Sequence, residues 1–111
     1  MERIQNYKIV YTQTAIEDIE EKADYIAFQL CDPELAEKWY FRLREQIQES
    51  LSTFPFKYSL YTREPWEKQG IRQFISRNDV VLYSVDTAQN IVFIRAVCTK
   101  GRDLSAHLES L

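Results

Sequence analysis

The chain has 111 residues, which is enough for one domain with a single modest core. Hydrophobic residues make up 45% of it and charged residues 28%, which is typical of a globular protein and excludes a disordered chain. No stretch approaches the roughly 18 apolar residues of a membrane span, and the N-terminus lacks the apolar run of a signal peptide. We therefore expect one cytoplasmic domain over residues 1–111 with no membrane attachment, a core at about 7–104 and a short tail at 105–111.

The net charge of −3 is unevenly distributed along the chain. Residues 13–52 contain four Lys or Arg and ten Asp or Glu, a balance of −6, whereas residues 55–104 contain eight and five, a balance of +3. This asymmetry predicts an acidic helical face and a mildly basic C-terminal half, although solvated surface charge explains the acidic part well enough. A basic surface strong enough to bind nucleic acid by itself is not evident.

The chain begins with a predicted strand and a predicted helix. Residues 7–11 alternate and are rich in β-branched and aromatic side chains, as in a strand. Thr14 followed by Glu17 has the spacing of a capping box and predicts the start of a helix. The apolar residues of this helix recur at helical spacing: Ile16, Ile19, Ala23, Ile26, Ala27 and Leu30. The other side holds carboxylates that we interpret as a solvated face rather than a catalytic pair: Glu20, Glu21 and Asp24.

A second helix is predicted to follow at once. Asp32 is a good N-cap and Pro33 suits the first helical position, and the helix is predicted to end near Phe54. Because the link between the helices is short, they should pack as an antiparallel hairpin. Cys31 in this link and Cys98 both have apolar neighbours, so we expect buried, reduced thiols. The apolar stripe of the second helix comprises Leu35, Ala36, Trp39, Tyr40, Leu43, Ile47 and Leu51.

The sequence from residue 55 onwards predicts a packed loop and three short strands. Residues 55–69 combine two prolines with several aromatic residues and show no periodicity. Strands are predicted at residues 71–76, 80–86 and 91–98, joined by hairpin turns. The predicted fold class is α+β: a single domain of order β-α-α-β-β-β, in which a small antiparallel sheet carries the helical hairpin on one face.

Helices on one side leave the other face of the sheet open to water or to a partner. In the last strand Val92, Ile94, Ala96 and Cys98 share one side, which we expect to face the core because all four are small or aliphatic. Arg95 would then lie on the open face and is a candidate functional residue, although a solvated arginine is an equal alternative.

The order of short motifs along the chain resembles a known family. The motifs are Asp-Pro at 32–33, Leu-Ser-Thr-Phe-Pro at 51–55, Gly-Ile-Arg at 70–72, Val-Leu-Tyr-Ser-Val-Asp at 81–86, Ile-Arg-Ala-Val at 94–97 and Lys-Gly-Arg-Asp at 100–103. Together they resemble the RelE/ParE superfamily of toxins from type II toxin–antitoxin systems, nearer the ParE branch, over about residues 7–104.

This resemblance implies a toxin that arrests growth, and a cognate antitoxin protein that wraps and neutralises it. It also implies two possible modes of action. RelE-like members cleave messenger RNA on the ribosome without a metal, whereas ParE-like members inhibit DNA gyrase by binding it. We expect no cofactor and no metal, and the sequence has no glycine-rich phosphate loop or nucleophile elbow of a conventional enzyme.

The sequence departs from the pattern that a ribonuclease of this superfamily would show. Metal-independent cleavage needs groups that activate the 2′-hydroxyl, stabilise the phosphate and protonate the leaving oxygen. RelE-like members typically have an arginine three residues before the tyrosine of a central strand, and here Val80 occupies that position before Tyr83. We therefore favour a binding inhibitor, with a ribosome-dependent endoribonuclease (mRNA interferase) and an inactive toxin-fold module as alternatives. The catalytic candidates for a nuclease would be Arg72, Arg102 and His107.

Two sets of residues are predicted to contact partners. The resemblance implies that Asp103 holds Arg102 in place. We interpret His107, which lies on a polar tail, as an ordinary surface residue. An antitoxin groove should combine apolar anchors with a charged rim, as the open face and the aromatic loop would do. We expect contacts to the target from Arg72, Arg95 and Arg102, and contacts to the antitoxin from Tyr58, Tyr61 and Trp66.

Overall fold

The computed structural model describes residues 6–62 and 66–101. Strand β1 (Lys8–Tyr11) is followed by helix α1 (Gln13–Asp24), a π-helical segment (Tyr25–Gln29), helix α2 (Pro33–Leu51) and a 3-10 turn (Pro55–Lys57). Strands β2 (Arg72–Ser76), β3 (Asp79–Asp86) and β4 (Ile91–Thr99) follow. The predicted α+β fold class and the order of the elements are confirmed, and both helices pack on one face of the sheet. Neither helix in these ranges has the length and apolar character that a membrane crossing requires.

The sheet has the order β1-β4-β3-β2 and is mixed, because β1 pairs with β4 in parallel while the other two pairs are antiparallel. The sequence predicted antiparallel pairing throughout, and the difference comes from the path of the helices. Helix α1 continues in the direction of β1, so that Lys22 reaches the Thr99 hydroxyl at the far end of β4. Helix α2 then returns the chain to Tyr7, whose N–H donates to the Ser52 carbonyl at 2.7 Å. Strand β2 therefore starts from the same end of the sheet as β1, and both run parallel to β4.

Helix α1 begins earlier than the capping-box pattern predicted. The Thr12 hydroxyl accepts a hydrogen bond from the Ala15 N–H at 3.2 Å and is the N-cap, whereas Thr14 lies inside the helix. The same hydroxyl donates to the Ile94 carbonyl at 2.9 Å. The prediction for Thr14 was wrong because β4, which the local pattern does not include, fixes Thr12 at the end of β1.

The connection between the helices departs from the predicted apolar stripe. The Leu30 N–H donates to the Tyr25 carbonyl at 3.2 Å, a bond that spans five residues instead of four and so adds one residue to the turn. The added residue rotates the side chains that follow, and Leu30 is 52% exposed although its spacing predicted a core position. Cys31 has a φ of 52° and is exposed, so the prediction of a buried thiol was wrong for this residue.

Helix α2 and the main core follow the prediction closely. Asp32 caps the helix, with its Oδ1 accepting a hydrogen bond from the Leu35 N–H at 3.0 Å, and Pro33 takes the first turn. Ile16 and Leu35, which periodicity placed in the two stripes, lie exposed at the rim. The main core between the helices and the sheet comprises Ala15, Ile19, Ile26, Ala36, Trp39, Leu43, Ile47, Leu51, Phe74, Val81, Tyr83, Val92, Ile94 and Val97.

Strand β4 contains a bulge at Arg95. The register with β3 shifts at this point, so Arg95 has no residue opposite it in β3. The bulge inverts the alternation of the strand, so Val92 and Ile94 face the helices whereas Ala96 and Cys98 lie on the other side. The prediction that all four residues share the core side was therefore wrong for the last two, because alternation holds only while the pairing is regular.

Candidate functional site

The side of the sheet away from the helices, which we call the open face, holds the predicted residue Arg95. Its Nε donates to the Ser84 Oγ at 3.0 Å, and its guanidinium lies 5.7 Å from the centre of the Phe93 ring. Val10 pairs with Phe93 and lies beside it on the same face. Arg95 carries five N–H donors on a half-buried side chain, so the bond to Ser84 orients a cation that a carboxylate of a partner can pair with.

The part of the open face beyond the bulge is closed by the chain itself. Val80, Leu82 and Ala96 are buried there together with Ile71. Tyr61 and Trp66, from the loop before β2, pack against these residues, and so does Cys98. We call these seven residues the loop-side cluster. Val80, at the position where the resemblance implies a nuclease arginine, is 6% exposed within it.

Arg72, the second described arginine of the predicted target site, lies on the opposite side of the sheet from Arg95. It is in register with Tyr83 of the main core, and its Nη1 donates to the Tyr58 carbonyl at 2.6 Å. Its guanidinium also lies 5.0 Å from the centre of the Phe56 ring. Arg72 thus holds the chain around the 3-10 turn, and the structure does not bring it together with Arg95.

The three aromatic residues predicted for the antitoxin groove are divided between the two sides of the sheet. Tyr61 and Trp66 lie together on the open face, with ring centres 6.5 Å apart. Tyr58 lies on the helix side, where it packs edge-to-face on Phe74 with centres 4.9 Å apart. All three side chains are half-buried, so each contacts the domain and still offers part of its ring to a partner.

The remaining predicted residues, Arg102, Asp103 and His107, lie outside the described residues, as does the tail at 105–111. Within residues 6–62 and 66–101, no three His, Cys, Asp or Glu side chains are grouped so that they could hold a metal ion.

A buried carboxylate at the start of β3 was not predicted from the sequence. Asp79 is 3% exposed, accepts a hydrogen bond from the Trp39 Nε1 at 2.8 Å and forms an ion pair with Lys22. A hairpin turn was predicted at this position, and an acidic residue in a turn is ordinarily solvated. The only local signal was the presence of Trp39 in the apolar stripe of α2, because a buried indole N–H needs an acceptor.

A stacked cation on the outer side of α2 was also not predicted. The Arg44 guanidinium lies 4.6 Å from the centre of the Tyr11 ring, and its Nη1 donates to the Tyr40 hydroxyl at 2.7 Å. Burial raises the pKa of the Tyr11 phenol above its ordinary value, and the nearby Arg44 offsets part of that shift. The spacing of Tyr40 and Arg44, four residues apart on one helix, was the available signal.

The fold occurs in solved toxin structures. A chain of the toxin–antitoxin complex RelBE2 from Mycobacterium tuberculosis is 18% identical to this chain, with a TM-score of 0.68, and the match covers 92% of this chain and 100% of that one. A chain of the chromosomal ParDE system from P. aeruginosa is 17% identical, with a TM-score of 0.69, and the match covers 86% and 98%. At these identities the likeness concerns the fold.

The sequence itself identifies the family. No curated protein matches the chain significantly. The family model for the ParE toxin of the type II toxin–antitoxin system parDE, however, matches residues 9–104, which include every element of the described fold except the first residue of β1. The chain therefore belongs to the ParE family of toxins from type II toxin–antitoxin systems.

Proposed function

We propose that this toxin arrests growth by binding and inhibiting a protein target, with DNA gyrase as the first candidate, and that a cognate antitoxin neutralises it. The antitoxin part is supported by the two structural relatives, which come from a RelBE2 complex and a ParDE system. The choice of a binding inhibitor over a ribonuclease is supported by this chain's own residues.

The burial of Val80 is the observation that carries the proposal. RelE-like ribonucleases typically have an arginine at that position, where it would stabilise the dianionic phosphate. Val80 is instead 6% exposed within the apolar loop-side cluster, and such an apolar surface offers nothing to a phosphate. A substrate could reach this position only if part of the loop-side cluster opened and exposed apolar side chains to water, which costs free energy.

The placement of the described arginines supports the same choice. A cleavage site needs its cations within a few ångströms of one phosphate, whereas Arg72 and Arg95 lie on opposite faces of the sheet. The Arg72 guanidinium also donates from its Nη1 to the Tyr58 carbonyl, so this donor is already used within the chain. The overall charge of −3 works against the approach to the phosphates of a ribosome.

We place antitoxin binding on the open face. Tyr61 and Trp66 would supply apolar anchors there, and Arg95 would pair with a carboxylate at the rim. Tyr58 would contact only an antitoxin that also wraps around the edge of the sheet. Target contact by Arg95 and Arg102 is the alternative role for these cations.

Two assays on the same purified toxin test the proposal. We expect inhibition of gyrase supercoiling, and no cuts by primer extension on messenger RNA in a translating extract. Cuts without inhibition would establish the ribonuclease instead, and neither effect would indicate an inactive module. Arg95→Ala should weaken antitoxin binding or growth arrest, whereas the matched change Arg42→Ala, on α2, should leave both unchanged.

A further inference from the structure

Exposed apolar side chains are concentrated where α1 passes into α2. Tyr25 is 55% exposed, Phe28 73%, Leu30 52% and Leu35 42%. We call these four residues the hairpin-tip patch. Single exposed apolar residues are normal on a soluble protein, but several large ones within residues 25–35 mark a surface suited to binding.

The backbone of the segment that carries the patch departs from regular α-helical geometry. The π-helical bond from Leu30 to Tyr25 replaces ordinary helical bonds, and Cys31 then adopts a left-handed φ of 52°. A π-helical turn and a left-handed non-glycine residue are both uncommon, and both occur preferentially at functional sites. Ile26 anchors the segment in the main core, so the exposed rings project from a fixed base.

The charges around the patch restrict what can cover it. Residues 20–38 contain six acidic and two basic side chains, and one of those two, Lys22, is paired with Asp79 at the end of the sheet. Exposed carboxylates flank the patch on both helices: Glu20, Glu21, Asp24, Glu34 and Glu37. Such a rim repels the phosphates of nucleic acids and of anionic lipids. It also disfavours a symmetric contact with a second copy, in which two acidic rims would meet.

We propose that the hairpin-tip patch is the surface through which the toxin holds its protein target, and that the target presents an apolar pocket with a rim of lysines or arginines. Phe28 is the central anchor, because it is the most exposed of the four side chains and large aromatic residues dominate binding hot spots. This inference rests on the proposed function, since it assumes inhibition by binding to a protein. It assigns the target to the helix side of the molecule, away from the antitoxin site proposed on the open face.

Polar replacements at the tip test the inference. The double variant Tyr25→Gln, Phe28→Gln should weaken the inhibition of purified gyrase roughly tenfold or more, and should abolish growth arrest at low expression. Phe54→Gln is the matched control, since Phe54 is 64% exposed and lies outside the tip. Both proteins should keep the wild-type melting temperature and the wild-type affinity for the antitoxin.

A charge reversal tests the rim independently. Glu34→Lys should lower the association rate with gyrase and reduce its dependence on salt, because a rim charge acts mainly on encounter. An association rate unchanged by Glu34→Lys would contradict a rim of lysines or arginines on the target.

The outcomes separate this inference from the proposed function. If wild-type protein inhibits gyrase and the tip variants inhibit it equally well, the patch is not the contact surface, while the binding inhibitor remains. If gyrase is not inhibited but growth arrest requires the tip, gyrase is the wrong target and the patch contacts another protein. If the wild-type chain does not arrest growth, or if it cuts messenger RNA, both proposals fail.

Discussion

Tyr83 is fully buried, yet its hydroxyl group connects two distant parts of the chain. It donates a hydrogen bond of 2.6 Å to the Pro55 carbonyl in the 3-10 turn, so a strand in the centre of the sheet fixes the segment that follows α2. Burial raises the pKa of the Tyr83 phenol well above its ordinary value, because the phenolate would have to leave water, and the nearby Arg72 offsets only part of this shift. The neutral phenol is therefore part of the folded state.

Replacement of Tyr83 by phenylalanine should have two measurable effects. The free energy of unfolding at pH 7 should fall by about 1–2 kcal/mol, because the Pro55 carbonyl loses its donor. A raised pKa in the fold gives stability that is complete below the unfolded value of about 10 and is lost as the pH rises above it. Urea titrations between pH 7 and 11 should show this alkaline loss in the wild type, and a smaller loss in Tyr83→Phe. An equal alkaline loss in both proteins would contradict the assignment to Tyr83.

The helices and strands differ in how well their local sequence predicted them. Helix α2 has its cap, first-turn proline and apolar stripe in the local sequence, and the structure confirms the cap, the proline and the stripe except for Leu35, which is exposed. The strands β2, β3 and β4 were predicted within one residue at each end, because turn residues separate runs of β-branched side chains. In these elements, local preference and tertiary packing agree.

The elements that were not predicted depend on contacts between distant residues. The cap at Thr12 depends on β4, and the bulge at Arg95 depends on how β3 pairs. The parallel position of β1 depends on the path of the two helices, which carries the chain along the sheet and back. The arrangement of the candidate site residues likewise depends on contacts between distant parts of the chain. Spacing placed Arg95 on the open face, but it did not reveal that Arg72 faces the helices, because alternation fixes which residues share a side and not which side is covered.

The start of α1 offers a direct comparison between the observed cap and the predicted one. Thr12→Ala should destabilise the domain by about 1–2 kcal/mol, since it removes the acceptor for the Ala15 N–H and the bond to β4. Thr14→Ala should be neutral or slightly stabilising, because alanine is the better helix former inside a helix. Chemical unfolding of the two variants beside the wild type measures the difference. The reverse order of effects would indicate that α1 begins at Thr14 in solution.

At the scale of the whole molecule, Asp79 joins the helical hairpin to the far end of the sheet. It contacts Lys22 of α1 and Trp39 of α2, and Lys22 in turn contacts Thr99 of β4. A carboxylate that is 3% exposed is stable only with such partners, because burial of an uncompensated charge is costly. The Lys22–Asp79 ion pair therefore fixes the position of α1 and α2 on the sheet, in addition to any net stability that it contributes.

Replacement of one partner at a time should show this role. Lys22→Met leaves the buried carboxylate of Asp79 without its cation and should cost about 3 kcal/mol. In the double variant Lys22→Met, Asp79→Asn no charge is left uncompensated, so the loss should be smaller than in Lys22→Met alone. Thermal unfolding of both variants gives the comparison. A loss in the double variant equal to or larger than that in Lys22→Met would show that the buried charge of Asp79 does not depend on Lys22.

The parallel pairing of β1 with β4 has a consequence for the synthesis of the toxin. Lys8 lies opposite Ile91, so β1 can pair with its neighbour only after β4, about 80 residues later, has been made. Until β4 emerges, the helices have no complete surface to pack on, since Val92, Ile94 and Val97 are part of the main core. Contacts between residues this far apart close late, because loop closure must precede them. Strand β1 and both helices are therefore synthesised before their partner strand, and the main core is completed only after β4 has left the ribosome.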